Sequence, residues 1–139
     1  MRRLLLAAAA LALAAGAAHA DTLRFSAAMN GASEVPPNTT NGTGQATATL
    51  DTVSKVFKYT VTYKDLTGAA TAAHFHGPAM PGANAPPSVP MKVTDSPISG
   101  TATLTDAQIA DLKSGKWYVN VHTMAHAGGE IRGQVTTAP

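Results

Sequence analysis

The chain has 139 residues, of which 13% are charged and 45% hydrophobic, with no cysteine. That length makes one domain with a single core, and the missing thiol excludes disulfides, thiolate catalysis and cysteine-based zinc sites. Once Arg2 and Arg3 are set aside with the leader described next, the remaining Lys/Arg and Asp/Glu balance to a formal net charge of zero; without a basic patch, nucleic acid is not an expected partner.

Residues 1–20 read as a secretory signal peptide. Arg2 and Arg3 precede an unbroken Leu/Ala run from Leu4 to Ala15, and the stretch ends Ala18-His19-Ala20 before Asp21, the charged, apolar and small-residue order of a cleaved leader. The run is too short to span a membrane, which takes roughly 17–25 residues. Cleavage after Ala20 leaves residues 21–139 as one domain in the periplasm or outside the cell.

From residue 21 onward, β-rich segments alternate with Gly/Pro turns. A first strand is expected over 22–29, followed by a polar connection through Glu34-Val35-Pro36-Pro37 and 38–44. Residues 43–51 (TGQATATLD) alternate Thr with Ala and Leu, the pattern of a half-buried strand. Residues 55–63 (KVFKYTVTY) are β-branched and aromatic, so the two predict a hairpin turning at Asp51–Ser54. Another strand runs over 69–76 to His76. The Gly/Pro loop 77–87 (GPAMPGANAPP) can be neither helix nor central strand. Strands at 88–93 and 98–104 come next. Residues 105–114 make the one helix, with Thr105 as N-cap, Gln108 at the capping-box position and Gly115 as the stop. Strands at 116–123 and 130–136 complete an all-β chain of seven to eight strands, a Greek-key β-sandwich or barrel.

The histidines after the leader fall in two places. His74 and His76 form an H-x-H on one strand; His122 and His126 lie at the end of another strand and in the turn after it. Side chains alternate faces with period two, so His74 and His76 share one side while Ala73 and Phe75 take the other. Trp117, Val119 and Val121 share an apolar face, which leaves Tyr118, Asn120 and His122 opposite. Ile131, Gly133 and Val135 face inward, which places Glu130, Arg132 and Gln134 outside. If these three strands are neighbours, one outer patch carries His74, His76, His122 and Arg132, with the 77–87 loop as a partial lid. Three or four imidazoles suit copper, zinc, iron or nickel; Met80 and Met124 nearby favour copper, with zinc the alternative. Few ligands on an exposed face leave a coordination position open for catalysis.

Other residues have plainer readings. Arg132 either steers a small anion toward the metal or, taken alone, pairs with Glu130 or Asp65 on a solvated face. Glu34 reads as a solvated carboxylate on a rigid Pro-Pro connection. Trp117 packs inward, Tyr118 lines the patch, and Met29 and Met91 fill core gaps. No Gly-rich phosphate loop with a Lys-Ser/Thr ending is present, and no Ser lies in a nucleophile elbow.

The segments 31–37 (GASEVPP), 73–77 (AHFHG), 117–123 (WYVNVHT) and 129–135 (GEIRGQV) resemble, in order, the CHRD domain, which is named for chordin and occurs in exported bacterial proteins. The resemblance covers nearly all of residues 22–137 and implies an all-β extracellular module. A more distant likeness is to the copper site of Cu/Zn superoxide dismutases. It implies that His74, His76 and His122 are copper ligands, His126 a fourth, and Arg132 the catalytic guide for superoxide. The missing Cys pair and the absence of a dense His/Asp run limit that likeness to copper alone. Three functions follow as expectations: a copper-dependent superoxide dismutase, a non-catalytic copper-binding protein using Met80 and Met124, and a metal-free interaction module.

Overall fold

The computed structural model describes residues 20–139; apart from Ala20, the expected leader lies outside the described residues. Eight strands form one antiparallel sheet: β1 (Thr22–Asn30), β2 (Thr43–Asp51), β3 (Val56–Lys64), β4 (Ala70–His76), β5 (Pro87–Pro90), β6 (Ile98–Thr103), β7 (Trp117–Thr123) and β8 (Ile131–Thr137). Their order across the sheet is β5-β4-β7-β8-β1-β2-β3-β6. The links from β3 to β4, from β5 to β6 and from β6 to β7 cross from one half of the sheet to the other, and the sheet curls into a nearly closed barrel. The all-β reading holds.

What curls the sheet is aromatic packing. Phe57 on β3 meets Phe75 on β4 edge-on at 5.1 Å and Trp117 on β7 at 5.8 Å, and Tyr59 meets Phe75 at 5.3 Å. These strands are far apart in the sheet order, so the contacts fold one half onto the other. Edge-to-face geometry suits the aromatic quadrupole. Val61, Ala73, Val119, Val121 and Ile131 complete a core with no exposure to solvent, and Met29 and Met91 are buried in it as expected.

The local signals also hold. The β2–β3 hairpin turns where Asp51 accepts hydrogen bonds from the amides of Val53 and Ser54. Helix α1 (Asp106–Lys113) starts with a full capping box between Thr105 and Gln108, and Gly115 follows it with φ +71°. The strand expected over 88–93 is shorter: β5 ends at Pro90. A proline has no amide to give a ladder, and β5 is an edge strand where that is tolerated.

Glu130 departs from expectation. It precedes β8, and its side chain is fully buried instead of lying on the solvated outer side. Its carboxylate accepts from the hydroxyls of Thr40 (2.6 Å), Thr67 (2.8 Å) and Thr123 (2.6 Å) and from the Thr67 amide (2.8 Å). Burial alone would raise its pKa, but the hydrogen bonds from Thr123, Thr40 and Thr67 outweigh it and hold the group at about 2. The anion ties β7 and the 65–69 and 38–42 connections together. A native pKa below the ordinary 4.5 stabilises the fold fully above pH 4.5, and that contribution is lost as pH falls toward 2. Glu130→Ala should therefore cost about 3 kcal/mol at neutral pH, as four donors lose their acceptor. In urea unfolding, the loss of stability between pH 6 and pH 3 should be smaller in Glu130→Gln than in the wild type.

Candidate metal centre

β4, β7 and β8 are direct neighbours, and their register aligns the outer-face residues in rows. His74 pairs with Asn120, and Asn120 with Arg132; His76 pairs with Tyr118, and Tyr118 with Gln134. Because Phe75 and Val119 must point into the core, His74, His76, Asn120 and His122 point out together. The backbone approaches closely at the end of β4. A Cβ on Gly77 would strike the Trp117 ring, so only glycine lets the chain turn off the strand there.

His74, His76 and His122 offer ligand nitrogens all within 4.8 Å of one another. His122 Nδ1 donates to the Ala127 carbonyl at 2.9 Å, and His76 Nδ1 donates to the Ala85 carbonyl at 2.9 Å. A carbonyl can only accept, so both rings carry their proton on Nδ1 and keep Nε2 as a free lone pair. Backbone carbonyls holding the remote ring nitrogen are the usual outer support of a metal-binding imidazole. His74 Nδ1 lies 3.3 Å from His122 Nε2. Asn120 Oδ1 sits 3.0 Å from His76 Nε2 and 3.0 Å from His122 Nε2. Three acceptor atoms thus face one another, an arrangement that a cation among them resolves.

His74 and His76 are tuned to stay neutral. Burial lowers the pKa of His74, with the charges of His122 and His76 adding to it. Burial also lowers that of His76; the Ala85 carbonyl and the Asn120 oxygen, which would accept from the protonated ring, act in the opposite sense, while His122 and Arg132 add to the lowering. Neutral imidazole is the form that binds metal.

The 77–87 loop lies over the outer face as a lid. Tyr118 Oη lies 3.2 Å from both the amide and the carbonyl of Ala85, and Gln134 donates to the carbonyl of Ala79 at 2.9 Å. Tyr118 carries the His76 ring stacked on it, 4.5 Å between centroids and 5° from parallel, and the Arg132 guanidinium carbon 3.4 Å from its ring centre. Arg132 donates to Asn84 Oδ1 at 2.8 Å and to the Ala83 carbonyl.

Several expectations are corrected here. Arg132 is on the outer face but 2% exposed, and it pairs with neither Glu130 nor Asp65; the single ion pair among the described residues joins Lys55 and Asp106. Covered by the loop, Arg132 anchors the lid. His126 stays in the turn after β7, lining a cleft with Glu34 and Gly129, and is not among the three clustered histidines. Met80 is 56% and Met124 90% exposed, so neither thioether is packed into the centre.

Glu34 is a second carboxylate expected in solvent and found buried. It is 4% exposed, and no group completes a hydrogen bond to its Oε1. Burial pushes its pKa up to about 7 against the opposing pull of the Arg132 charge, the Val35 amide and the Asn120 side chain. It packs beside Gly129, where a Cβ would strike Glu34 Oε1 and lie 2.8 Å from Asn120 Nδ2. Gly129, with φ +129°, is thus required both by its conformation and by the space these two side chains fill.

Two measurements check this description. In the metal-free protein, NMR titration should find His74 and His76 protonating below the ordinary 6.5. The linked stability is present above pH 6.5 and is lost as pH falls through their lowered native values. Arg132→Ala should raise amide exchange rates across 79–86 by about tenfold or more, since a charge-assisted hydrogen bond is worth roughly 1.5–3 kcal/mol; unchanged exchange there would mean that Arg132 does not anchor the lid.

Comparison with known proteins agrees with the motif reading. The family model of the CHRD domain matches residues 25–135. No curated protein and no solved structure matches the chain. With its motifs in order along one barrel-like sheet and the model spanning nearly all of the described residues, the chain belongs to the CHRD domain family.

Proposed function

We propose that this protein is an exported copper-binding CHRD protein whose ion is held by His74, His76 and His122. The observation that carries the reading is the convergence of three imidazole nitrogens within 4.8 Å, with two of the rings held at Nδ1 by backbone carbonyls. Copper(II) is the divalent first-row ion that nitrogen ligands hold most tightly, with zinc the competing ion. The exposed positions of Met80 and Met124 argue against a thioether site that would select reduced copper. Export through the leader would deliver the centre to the periplasm or beyond; among the described residues, no helix is long and apolar enough to cross a membrane.

A bound copper ion would supply a one-electron couple, the chemistry that dismutation of superoxide requires. Three imidazoles leave coordination positions beyond their own, one of them open to a small anion. His74 and His122 are each partly exposed, so an anion reaches the centre from the solvent side without passing Arg132. Binding is therefore the primary reading, and dismutation the activity to test on the loaded protein.

Purified mature protein titrated with copper(II) should take up one ion per chain. Its electron paramagnetic resonance spectrum should show coupling to three nitrogens. His74→Ala/His76→Ala should lose that stoichiometric uptake while remaining folded by circular dichroism. Equal uptake by the variant and the wild type would end the reading. Superoxide consumption by the copper-loaded protein at the rate of free copper alone would leave a binding protein and exclude the enzyme.

A further inference from the structure

Asn120 lies in the middle of the histidine cluster, and the sequence alone gave it no role. It is 3% exposed and sits on the outer face of β7 between the rows of His74 and Arg132. A buried carboxamide has an acceptor end and a donor end, and their placement has consequences. The acceptor, Oδ1, is 3.0 Å from the free lone pairs of both His76 and His122. Acceptor against acceptor is repulsive in the metal-free protein, and a half-turn of the amide would relieve it by presenting Nδ2 to the rings. Something must hold the amide in the less comfortable orientation.

Glu34 is placed to do so. Its carboxyl lies beside the Asn120 side chain, which works against the rise of the carboxyl's pKa. Both groups crowd the same point above Gly129, where an added Cβ would strike Glu34 Oε1 and lie 2.8 Å from Asn120 Nδ2. The carboxyl is buried, and Oε1 completes no hydrogen bond. An unpartnered buried oxygen is costly, so this one needs a donor, and the Asn120 amide is the donor beside it. The 3-10 turn Gly31–Ser33, closed by Asn30 accepting from the Ser33 amide at 2.9 Å, fixes where Glu34 enters. Gly129, which no larger residue can replace without striking the carboxyl, leaves room for it.

We propose that Glu34 is a positioning residue that turns Asn120 Oδ1 into the three-histidine centre, making that oxygen the fourth donor to the ion. This rests on the reading of the centre given above. It gives the 31–37 and 117–123 segments a joint role: the first supplies an orienting carboxyl, and the second supplies both Asn120 and His122. An amide oxygen added to three imidazoles gives a harder donor set, better suited to oxidised copper than imidazoles with thioether.

The test is copper(II) titration with electron paramagnetic resonance on the full mature protein and three variants. Glu34→Gln keeps one acceptor oxygen but adds an NH2 donor, so it can turn either end toward Asn120 and no longer fixes its orientation. It should keep three-nitrogen coupling, change the copper hyperfine splitting, and weaken binding about 10–100-fold, the range for supporting groups around a metal. Asn120→Ala should do the same. The double variant Glu34→Gln/Asn120→Asp reverses the hydrogen bond, with the amide introduced at position 34 donating to the carboxylate introduced at position 120. It should recover binding to within about threefold of the wild type. A Glu34→Gln protein with wild-type affinity and spectrum would overturn the proposal while leaving the three-histidine centre standing. A double variant as weak as Glu34→Gln would also overturn it, because a merely structural carboxyl is not rescued by swapping the partners. Loss of copper dependence on His74 and His76 would instead sink the centre itself, and the proposal with it.

Discussion

The arrangement depends on Phe75 being driven into the barrel. Its ring fills the space between Phe57, Tyr59 and Trp117 with no solvent exposure. A strand cannot bury position 75 without turning 74 and 76 the other way. On β7, Val119 and Val121 impose the same rule on Asn120 and His122. Pairing β4 with β7 in the observed register then sets four polar side chains in one patch. A slip of one residue would send the imidazoles into the core and the aromatics into solvent, so the force that makes the core also assembles the centre.

The outer face is not an ordinary solvated face. Tyr118, Asn120 and Arg132 are each 3% exposed or less, because the 77–87 loop and the 31–38 segment cover them. Covering polar groups obliges the protein to pair them. It does so almost everywhere: Arg132 on Ala83 and Asn84, Gln134 on Ala79 and Gly115, Glu130 on its three threonines. Among the described residues, unpartnered buried side-chain atoms are confined to Glu34 Oε1 and Trp117 Nε1. The first lies next to Asn120, where lone pairs already face one another. Polar satisfaction failing at one spot in a well-paired layer marks that spot as functional ground.

The sequence made the strands, the capping box and the inward and outward sets legible, because period-two alternation and short-range capping are written into neighbouring residues. Convergence of His74, His76 and His122 was legible only on the condition that β4 and β7 are neighbours, which no local pattern states. His126 misled because sequence proximity to His122 says nothing of direction once the chain leaves the strand. Glu34 misled for a related reason. Proline neighbours and a charge are the marks of an exposed connection, and its burial comes from residues far along the chain, around Gly129. Arg132 and Glu130 were read as candidates for one ion pair, yet the start of β8 falls between them. Glu130 is left in the preceding connection among threonines, and Arg132 under the lid.

Geometry and lid are coupled through two backbone carbonyls. Ala85 in the 77–87 loop holds His76, and Ala127 in the turn after β7 holds His122. The rings therefore keep their tautomers only while loop and turn stay in place, and Arg132 and Tyr118 hold that loop from beneath. An ion that binds the native centre and not the unfolded chain stabilises all of it by mass action. Ligands drawn from two core strands, with supports drawn from a loop and a turn, extend that stabilisation from the packed strands to the loop and the turn. The loop and the turn, whose hold on the two rings is through single backbone carbonyls, are thus the parts that an occupied centre would order most.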